Sequence, residues 1–407
     1  MSTASRTRFL DRSTPPHLLT LVLLAGLSAA AMNMFLPSLP SMAAHFQTDY
    51  RVLQLSVTLY LAVNAVLQLF IGPLSDRFGR RPVLLVSFAL FVVCTLGILY
   101  APTVEIFLAF RMGQAVVVAG LVLSRAIVRD MVPEGQAASM LGYVTMGMAL
   151  VPMVAPMFGG LLDEAFGWRA TFVLLAILGV AMVWLVWADL GETGQGAGPG
   201  WAAQFRDAPE LLSSPRFWGY NCAATFASGA FFAYLGGAPY VGSDVFGLSP
   251  AVLGIFFGAP AVGYMAGNAI SGLFSVRYGI RAMILTGTLL SSGGLLASLV
   301  LFYAGWDTVY VFFGFMMFVG LGNGMVIPNA TAGMLSVRPR LAGTASGLGG
   351  AMMIGGGAAL SALAAALLVP GVGAYPLIWT MFTTSILSIL SILAVFWREH
   401  QIGVAAP

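Results

Sequence analysis

Long apolar stretches separated by short polar turns occupy almost the whole of this chain. Each stretch is continuously apolar, and about 20 such residues cross the hydrocarbon core of a bilayer as an α-helix. The strands of a membrane barrel would instead alternate apolar and polar residues. The pattern predicts an all-α integral membrane protein with twelve transmembrane helices, near residues 18–40, 52–74, 83–101, 106–128, 137–161, 170–189, 217–241, 251–273, 283–303, 308–335, 341–368 and 374–397.

One polar stretch interrupts this pattern in the middle of the chain. Residues 191–215 are rich in glycine, proline and charged side chains, which is typical of a flexible linker. The remaining loops are short, so the sequence offers no room for a soluble catalytic domain and argues against a membrane enzyme. The predicted organisation is a tail at 1–17, a six-helix bundle at 18–190, the linker at 191–215, a second six-helix bundle at 216–397 and a tail at 398–407.

A ten-residue phrase recurs in the two predicted bundles. GPLSDRFGRR occupies 72–81, which we call the first phrase, and GLFSVRYGIR occupies 272–281, the second phrase. A repeat at this distance indicates two similar membrane halves joined end to end. Many secondary transporters are built in this way, with the substrate site between the halves near the middle of the bilayer.

Composition and charge agree with a membrane protein. The chain is 59% hydrophobic and only 8% charged, with a mean hydropathy of +0.92, whereas soluble domains carry roughly 25% charged residues. Every basic residue is an arginine, and nearly all lie on the predicted side of the amino terminus; Arg51 and Arg169 lie opposite and Arg111 lies within a helix. This asymmetry predicts that both termini are cytoplasmic. The net charge of +3 therefore reflects topology, and nucleic-acid binding is not expected.

Several motifs resemble those of one transporter family. GPLSDRFGRRPVL at 72–84 resembles motif A of the major facilitator superfamily, FRMGQAVVVAG at 110–120 resembles motif B, and APMFGG at 155–160 resembles the end of the antiporter motif C. In motif C, Val151 and Ala155 stand where the family has glycine. NMFLPSLP at 33–40, VRD at 128–130 and IPNATA at 327–332 are similar to the Bcr/CflA (bicyclomycin/chloramphenicol-resistance) type of drug:proton antiporter.

The resemblance implies a conformational latch in the first phrase. A carboxylate is favoured at a helix amino terminus, and Asp76 is expected to face the start of predicted helix eleven near Ala342–Ser346, holding the outward-open state, with Arg129 as a partner. The second phrase has Val276 at the equivalent position, so the latch should be one-sided. The arginines could alternatively serve topology alone. The predicted latch comprises Gly72, Asp76, Arg77, Gly79, Arg80, Arg81 and Arg129.

Arg111 is the charged residue placed well within a predicted helix. Such a group is costly in lipid and should face a cavity or a polar partner, unless it reaches the membrane surface. Gln114, three residues later, shares its helix face. The other predicted cavity-lining residues are Asn33, Tyr60, Asn64, Gln68, Asn221, Phe231, Tyr234, Tyr264, Asn268 and Asn329. In motif C, bending where the halves meet is expected from Pro152, Pro156, Gly159 and Gly160.

The usual proton site of the resembled antiporters is absent. They carry an aspartate in the first helix, where this chain has Asn33, and an amide does not titrate in the useful range. All 15 acidic residues fall near predicted helix ends or in loops, although Glu105 or Asp244 could reach further inward. Two interpretations stay open: proton-coupled export of small hydrophobic or amphipathic compounds by alternating access, or transport of a small anionic metabolite through Arg111.

Either interpretation gives the same setting. We expect a monomeric, multi-pass protein of a bacterial inner membrane that contacts lipid and a small-molecule substrate. Cys94 and Cys222 each lie inside a predicted helix and suit packing rather than metal binding. The sequence therefore predicts no metal and no cofactor, with the proton as the candidate coupling ion.

Overall fold

The computed structural model describes residues 8–131, 140, 144, 151, 154–194, 209–338 and 341–401. Its helices follow the predicted segments in order. The N-terminal half contains α1 (Leu18–Phe46), α2 (Tyr50–Phe78), α3 (Arg80–Leu99), α4 (Val104–Gln114 continued by Val118–Met131), α5 (154–166) and α6 (Arg169–Asp189). The C-terminal half contains α7 (Pro215–Tyr240), α8 (Pro250–Phe256 continued by 259–278), α9 (280–303), α10 (Val309–Val337), α11 (Ala342–Leu367) and α12 (Tyr375–Gln401).

The lengths of these helices match a bilayer. Within the part of the chain that the structure describes, nine apolar helical spans are long enough to cross a membrane. One of them, Pro250–Tyr303, contains 54 residues, which at 1.5 Å per residue is about 80 Å, more than twice the thickness of a hydrocarbon core. It therefore supplies two crossings, α8 and α9. With α5 and α7, the predicted twelve helices are accounted for.

The two phrases have the same backbone geometry. Gly79 separates α2 from α3 with φ 92° and ψ 153°, and Gly279 separates α8 from α9 with φ 80° and ψ 155°. This backbone region is essentially restricted to glycine, because a Cβ atom would clash there. One glycine thus ends one helix and permits the next to begin at once. The sequence repeat is a structural repeat, which confirms the architecture of two similar six-helix bundles.

Two of the helices contain a short break. α1 passes through a 3-10 turn at Leu36–Ser38 and continues to Phe46, beyond the predicted end at residue 40. Its prolines, Pro37 and Pro40, sit near the start of each new turn, where a missing N–H does not matter, so the helix is interrupted without ending. α4 has a similar 3-10 turn at Ala115–Val117. Both breaks adjoin the surroundings of Arg111.

The halves meet along a seam. α2 packs against α11, and α5 packs against the beginning of α8. One buried apolar cluster extends through both halves, from Leu21 and Phe172 to Tyr234 and Phe313. A second cluster, around Phe217, belongs to the C-terminal half. The core is therefore shared across the seam rather than divided at it.

The bundle has two ends, which we name by their residues. The tail face carries residues 8–17, both phrases, 189–192 and 398–401, and the far face carries the connections near residues 47–50, 100–103, 163–168, 241–249 and 368–374. The predicted linker at 191–215 belongs to the tail face. Its residues 191–194 are not helical, and α7 begins at Pro215; most of the remainder lies outside the described residues.

Candidate functional site

Arg111 in α4 is buried, with 1% of its surface exposed. Its guanidinium carbon lies 4.2 Å from the ring centroid of Phe35 in α1 and 4.0 Å from that of Tyr60 in α2. A cation held against an aromatic face away from water gains about 2 kcal/mol from the quadrupole of the ring. Three helices of the N-terminal half thus converge on one positive charge.

Hydrogen bonds hold the guanidinium in place on one edge. Nε of Arg111 donates to the backbone oxygen of Ser56 at 3.4 Å, and Nη1 donates to Oε1 of Gln114. Nε2 of Gln114 in turn donates to Oγ1 of Thr95 in α3 at 2.8 Å. The hydrogen bond to Thr95 in α3 therefore fixes the orientation of the Gln114 amide whose oxygen accepts from Arg111. This pair shares one helix face, as the three-residue spacing requires.

Three polar side-chain atoms of the predicted cavity-lining residues are unpaired. Nη2 of Arg111, Oη of Tyr60 and Oδ1 of Asn33 are all buried without a hydrogen-bond partner among the described residues. The amide nitrogen of Asn33 donates to the backbone oxygen of Ala29 at 2.7 Å, so that residue is only half satisfied. Within the same part of the chain, Arg111 forms no ion pair with a carboxylate. The positive charge is balanced by rings and dipoles.

Two further predicted lining residues lie along α2. Nε2 of Gln68 donates to Oδ1 of Asn64 at 2.7 Å, so both occupy one face of the helix. Gln68 also faces α11, because a Cβ atom added to Gly350 would lie 3.7 Å from its Oε1. This polar pair therefore borders the seam. Gln68 is partly exposed, whereas Asn64 is buried.

In the C-terminal half, two of the predicted asparagines bond to a neighbouring helix and one bonds within its own helix. Asn329 donates to Oγ of Ser271 at 2.7 Å, which ties α10 to α8. Asn221 in α7 donates to the sulfur of Met352 in α11 at 3.1 Å. Asn268 donates to the backbone oxygen of Tyr264, four residues earlier in α8. Buried amides of this kind commonly bridge membrane helices.

An aromatic cluster surrounds Tyr234 of α7. Its ring centroid lies 5.2 Å from that of Phe257 and 6.3 Å from those of Phe231 and Phe313. The hydroxyl of Tyr234 is buried and has no partner among the residues that the structure describes. A phenol in this condition provides an unused donor inside an apolar wall, a combination typical of sites for small amphipathic ligands.

Motif C lies where three helices come together. A Cβ atom added to Gly159 would lie 1.6 Å from the backbone oxygen of Met34 in α1, and one added to Gly160 would lie 2.1 Å from that of Pro250 in α8. From the other side, a Cβ atom on Gly254 would lie 2.5 Å from the backbone oxygen of Pro156. Glycine is required at these close approaches. Pro152 lies outside the described residues.

At the far face, side chains of α2 bond to the backbone of the opposite half. Oη of Tyr50 donates to the backbone oxygen of Gly236 at 3.0 Å, and Nε2 of Gln54 donates to the backbone oxygen of Ser361 at 3.1 Å. A Cβ atom on Gly236 would lie 2.2 Å from Nε2 of Gln54, so this contact also depends on glycine. α2 is thereby fastened to α7 and α11.

A carboxylate of α5 also joins the two halves at the far face. Oε2 of Glu164 accepts a hydrogen bond from Oγ of Ser249 at 3.0 Å and from the backbone N–H of Ala251 at 3.3 Å. Ser249 also caps the helix Pro250–Phe256 at its amino terminus. Negative charge is favoured at this helix end. Glu164 therefore joins the N-terminal half to the start of α8.

At the tail face, the first phrase bonds within its own half. Arg80 pairs with Asp76, four residues earlier, and with Asp130 at the end of α4, where Nε lies 3.1 Å from Oδ2. Glu192 accepts from the backbone N–H groups of Arg80 at 2.8 Å and Arg81 at 3.3 Å, and so caps α3. The predicted partner of Asp76 was Arg129, whose side chain lies outside the described residues.

The second phrase is held by a buried carboxylate. Glu399 in α12 lies 2.7 Å from Nη1 of Arg281 and 2.8 Å from Nη2 of Arg216, and it accepts from the hydroxyl of Tyr220 at 3.2 Å. Val276, at the position equivalent to Asp76, is 97% exposed. The second phrase therefore forms its ion pair through Arg281 with α12, whereas the first phrase forms one between its own residues Asp76 and Arg80.

The remaining latch residues are at the surface of the tail face. The guanidinium of Arg77 lies over the ring of Phe78 at 5.2 Å, and Nη2 of Arg81 donates to the backbone oxygen of Trp187 at 3.1 Å. A Cβ atom on Gly72 would meet nothing within 4 Å, so no steric reason requires glycine there. Among the glycines of the first phrase, Gly79 is the one that the backbone demands.

Several contributing residues were missed by sequence reasoning. Phe35 and Ser56 contact Arg111 but belong to other helices, and an apolar pattern gives no sign of such long-range partners. Three acids placed near helix ends are buried, because each is bonded there: Asp163 by Ser41, Asp189 by Thr20 and two backbone N–H groups, and Glu399 by its arginines. A usable signal was that Glu192 and Glu399 both come shortly after the last predicted helix of a half, at 170–189 and 374–397.

Residues 21–362 match the family model described as Major Facilitator Superfamily, which is most of the 407 residues. The chain belongs to this superfamily. It is 28% identical over 388 residues to a bicyclomycin resistance protein homolog of Haemophilus influenzae, with 94% of this chain and 96% of that protein covered. It is also 31% identical over 338 residues to a chloramphenicol resistance protein of Pseudomonas aeruginosa, covering 80% of this chain and 79% of that protein.

A solved structure shares the fold. A bacterial homolog of the human lysosomal transporter Spinster, in an inward-facing and unoccupied conformation, superposes with a TM-score of 0.72 at 17% identity, covering 94% of this chain and 96% of that one. The expected major facilitator fold is thus confirmed, as is the resemblance to bicyclomycin- and chloramphenicol-resistance transporters. The chain is a multi-pass membrane transporter, and its relatives are transporters rather than enzymes.

Proposed function

We propose that this transporter exports small hydrophobic or amphipathic compounds from a bacterial cell by alternating access. The observation that carries the proposal is the set of hydrogen bonds that join the halves at the far face. Hydrogen bonds donated by Tyr50 and Gln54, and one accepted by Glu164, join the halves at the far face. At the tail face, the ion pairs of Arg80 and Glu399 stay within one half. Alternating access requires such a difference between the two ends.

The orientation follows from the arginines. The tail face carries most of them, and positively charged loops stay on the cytoplasmic side during insertion. We therefore take the tail face as cytoplasmic, which makes this conformation inward-facing. A substrate would enter from the cytoplasm beside the partly exposed Gln68 and leave after the far-face contacts have opened.

The substrate class follows from the relatives and from the composition of the site. The similar proteins are named for resistance to bicyclomycin and chloramphenicol. In this chain, aromatic rings lie against both Arg111 and Tyr234, and Nη2 of Arg111 and the hydroxyls of Tyr60 and Tyr234 have no hydrogen-bond partner among the described residues. Aromatic walls with few polar groups suit compounds that combine rings with hydrogen-bonding substituents.

Proton coupling is the part of this proposal that the resemblance supplies. It requires a titratable group that is reached from both faces in turn, and Asn33 cannot serve. Asp76, which pairs with Arg80, and the other acids identified here lie at one face or the other. A proton-driven cycle would therefore need a carboxylate that comes closer to Arg111 in another conformation.

The test is flux through the purified chain in proteoliposomes. Radiolabelled chloramphenicol should cross faster than in protein-free vesicles and should saturate with concentration. An imposed pH gradient should accelerate the flux if a proton moves in exchange. Flux equal to that of protein-free vesicles for every resistance compound tested would contradict the proposed export, whereas saturable flux that ignores the gradient would contradict only the proton coupling.

A further inference from the structure

Arg111 has three features that together identify a binding chemistry. It is a buried cation, its Nη2 has no hydrogen-bond partner among the described residues, and it forms no ion pair with a carboxylate in that part of the chain. A buried charge is normally paired, because removing an ion from water is costly. The rings of Phe35 and Tyr60 compensate part of this cost. The rings leave Nη2 of Arg111 without a hydrogen-bond acceptor among the described residues.

We infer that, among amphipathic compounds, the site prefers organic anions: the best counter-ion of Arg111 is the substrate itself, an aromatic or amphipathic compound carrying one negative charge. This inference rests on the proposed export function and names the substrate class of the same site. The guanidinium presents Nη2 as the donor, and a carboxylate, sulfonate or similar oxyanion supplies the acceptor that no described residue provides.

The neighbouring polar atoms fit a negatively charged ligand. The hydroxyl of Tyr60 is buried and unpaired, and its ring already contacts Arg111. It can donate a second hydrogen bond to the same anion. The rings of Tyr60 and Phe35 then form an apolar border for the hydrocarbon part of the ligand. A cationic compound would meet a positive charge at close range, and a neutral one would leave it unpaired.

Asn33 strengthens this inference. The resembled antiporters carry an aspartate at this place in the first helix, two positions before Phe35, where a carboxylate would add a negative charge to this part of α1. In this chain the amide of Asn33 is neutral, and its Oδ1 remains without a partner. With Asn33 neutral, α1 brings no negative charge at this position to the segment that contacts Arg111 through Phe35. The substitution also removes a negative charge that would repel an anion.

The charge balance has a consequence for energetics. With an anion bound, the site is neutral; when it is empty, it carries the charge of Arg111. A cycle that moves the neutral complex outward and the empty positive site inward transfers net charge across the membrane. The inside-negative potential of a cell favours that direction. Export of the anion can then be driven by the potential without a proton in exchange.

The experiment compares two probes of nearly the same shape. 1-Naphthalenesulfonate is permanently anionic, and 1-naphthalenesulfonamide is its neutral counterpart; binding of both to the purified full chain is measured by calorimetry. We expect the sulfonate to bind about tenfold tighter or more, because hydrogen bonds to charged groups are the stronger ones. Equal affinities for the two probes would overturn the inference. This comparison needs no variant.

Variants assign the preference to one residue. Arg111→Gln should remove the preference for the sulfonate, and Arg111→Lys should retain it in weaker form, because an ammonium keeps the charge but not the planar geometry. Arg169→Gln, which removes an exposed arginine at the far face, is the matched control and should bind like the parent chain. A folded Arg111→Gln chain that still prefers the sulfonate would overturn the inference.

A flux measurement separates this inference from the proposed function. Vesicles held inside-positive with valinomycin and a potassium gradient should accumulate the sulfonate, with no pH gradient imposed. Saturable chloramphenicol flux together with equal binding of the two probes would leave the export function standing and refute the anion site. Sulfonate preference without flux of any compound would support the site and refute export.

Discussion

The far face and the tail face of the seam are held by different kinds of contact. At the far face, Tyr50, Gln54 and Glu164 bond directly to backbone or side-chain atoms of the opposite half. Among the described residues of the tail face, the ion pairs of Arg80 and of Glu399 each join groups of the same half. Opening the far face must break hydrogen bonds across the seam, whereas separating the tail face breaks none of these ion pairs.

The difference explains how one conformation can be stable without being permanent. Each hydrogen bond across the far face contributes roughly 0.5–1.5 kcal/mol, and the close approach at Gly160 and Gly254 adds packing. A handful of such contacts is a modest total, which a bound substrate can offset. The ion pairs that define each half are left intact during that exchange. Variants at either face should therefore change the balance between conformations.

The largest effect is expected from Asp76→Asn. This change removes the carboxylate that pairs with Arg80, and with it the charge that the resemblance assigns to the start of α11. Transport should fall to the level of protein-free vesicles, because the opposite conformation loses its latch. Membrane insertion and elution as a single species should be unchanged. Unchanged flux would show that the tail face needs no latch.

A smaller but still large effect is expected from Gly160→Ala. The new Cβ atom would lie 2.1 Å from the backbone oxygen of Pro250, and backbone cannot rotate away. Overpacking of this kind costs about 1–3 kcal/mol, so transport should fall about tenfold and the far face should be open more often. Distances between spin labels at Phe166 and Val245, both exposed at this face, report the opening.

Gly293→Ala is the matched control for Gly160→Ala. A Cβ atom at Gly293 would meet nothing within 4 Å, so the label distances and the transport rate should match those of the parent chain. If both alanine variants behave alike, the effect at Gly160 comes from the loss of helix flexibility rather than from the seam.

A moderate effect is expected from Glu164→Gln. The amide keeps an oxygen acceptor for Ser249 but loses the charge at the start of the helix Pro250–Phe256. The loss of about 1 kcal/mol corresponds to roughly a fivefold shift of the equilibrium toward an open far face. The same pair of spin labels measures it. Glu105→Gln, an exposed acid of the far face in α4, should leave the distances unchanged.

The smallest effect is expected from Val276→Asp in the second phrase. Val276 is 97% exposed, and surface changes of this kind stay within about 0.5 kcal/mol. Transport should therefore change less than about twofold. The double variant Asp76→Asn, Val276→Asp should stay inactive. Recovery of flux in that double variant would mean that the two phrases are interchangeable.

The fold was readable from the sequence because its signals are local. Apolar stretches indicated the helices, and the repeated phrase indicated the two halves, since a glycine at 79 and 279 is dictated by the backbone of its own turn. The neighbouring positions of Arg111 and Gln114 also followed from helical spacing. Each of these inferences needs only residues that are close in the chain.

The candidate site was only partly readable because its contacts are distant in sequence. Nothing local distinguishes Phe35 from the other apolar residues of α1, and its contact with Arg111 depends on how α1 and α4 pack. Likewise, Glu164 resembles any acid at a helix end until α8 is placed beside it. The distant partners expected for Asp76, Arg129 and the start of α11, stay a prediction; its described partner, Arg80, is four residues away.

Glu192 and Glu399 have a mechanical consequence. Glu192 fastens the chain just after α6 to the start of α3, and Glu399 fastens α12 to the starts of α9 and α7. Each carboxylate thereby joins the end of a half to earlier helices of the same half at the tail face. Helices joined at one end tilt together instead of sliding past one another. Breaking the hydrogen bonds at the far face then lets a whole half rotate as one body. Because the helices are about 40 Å long, a small rotation produces a large displacement at the far face.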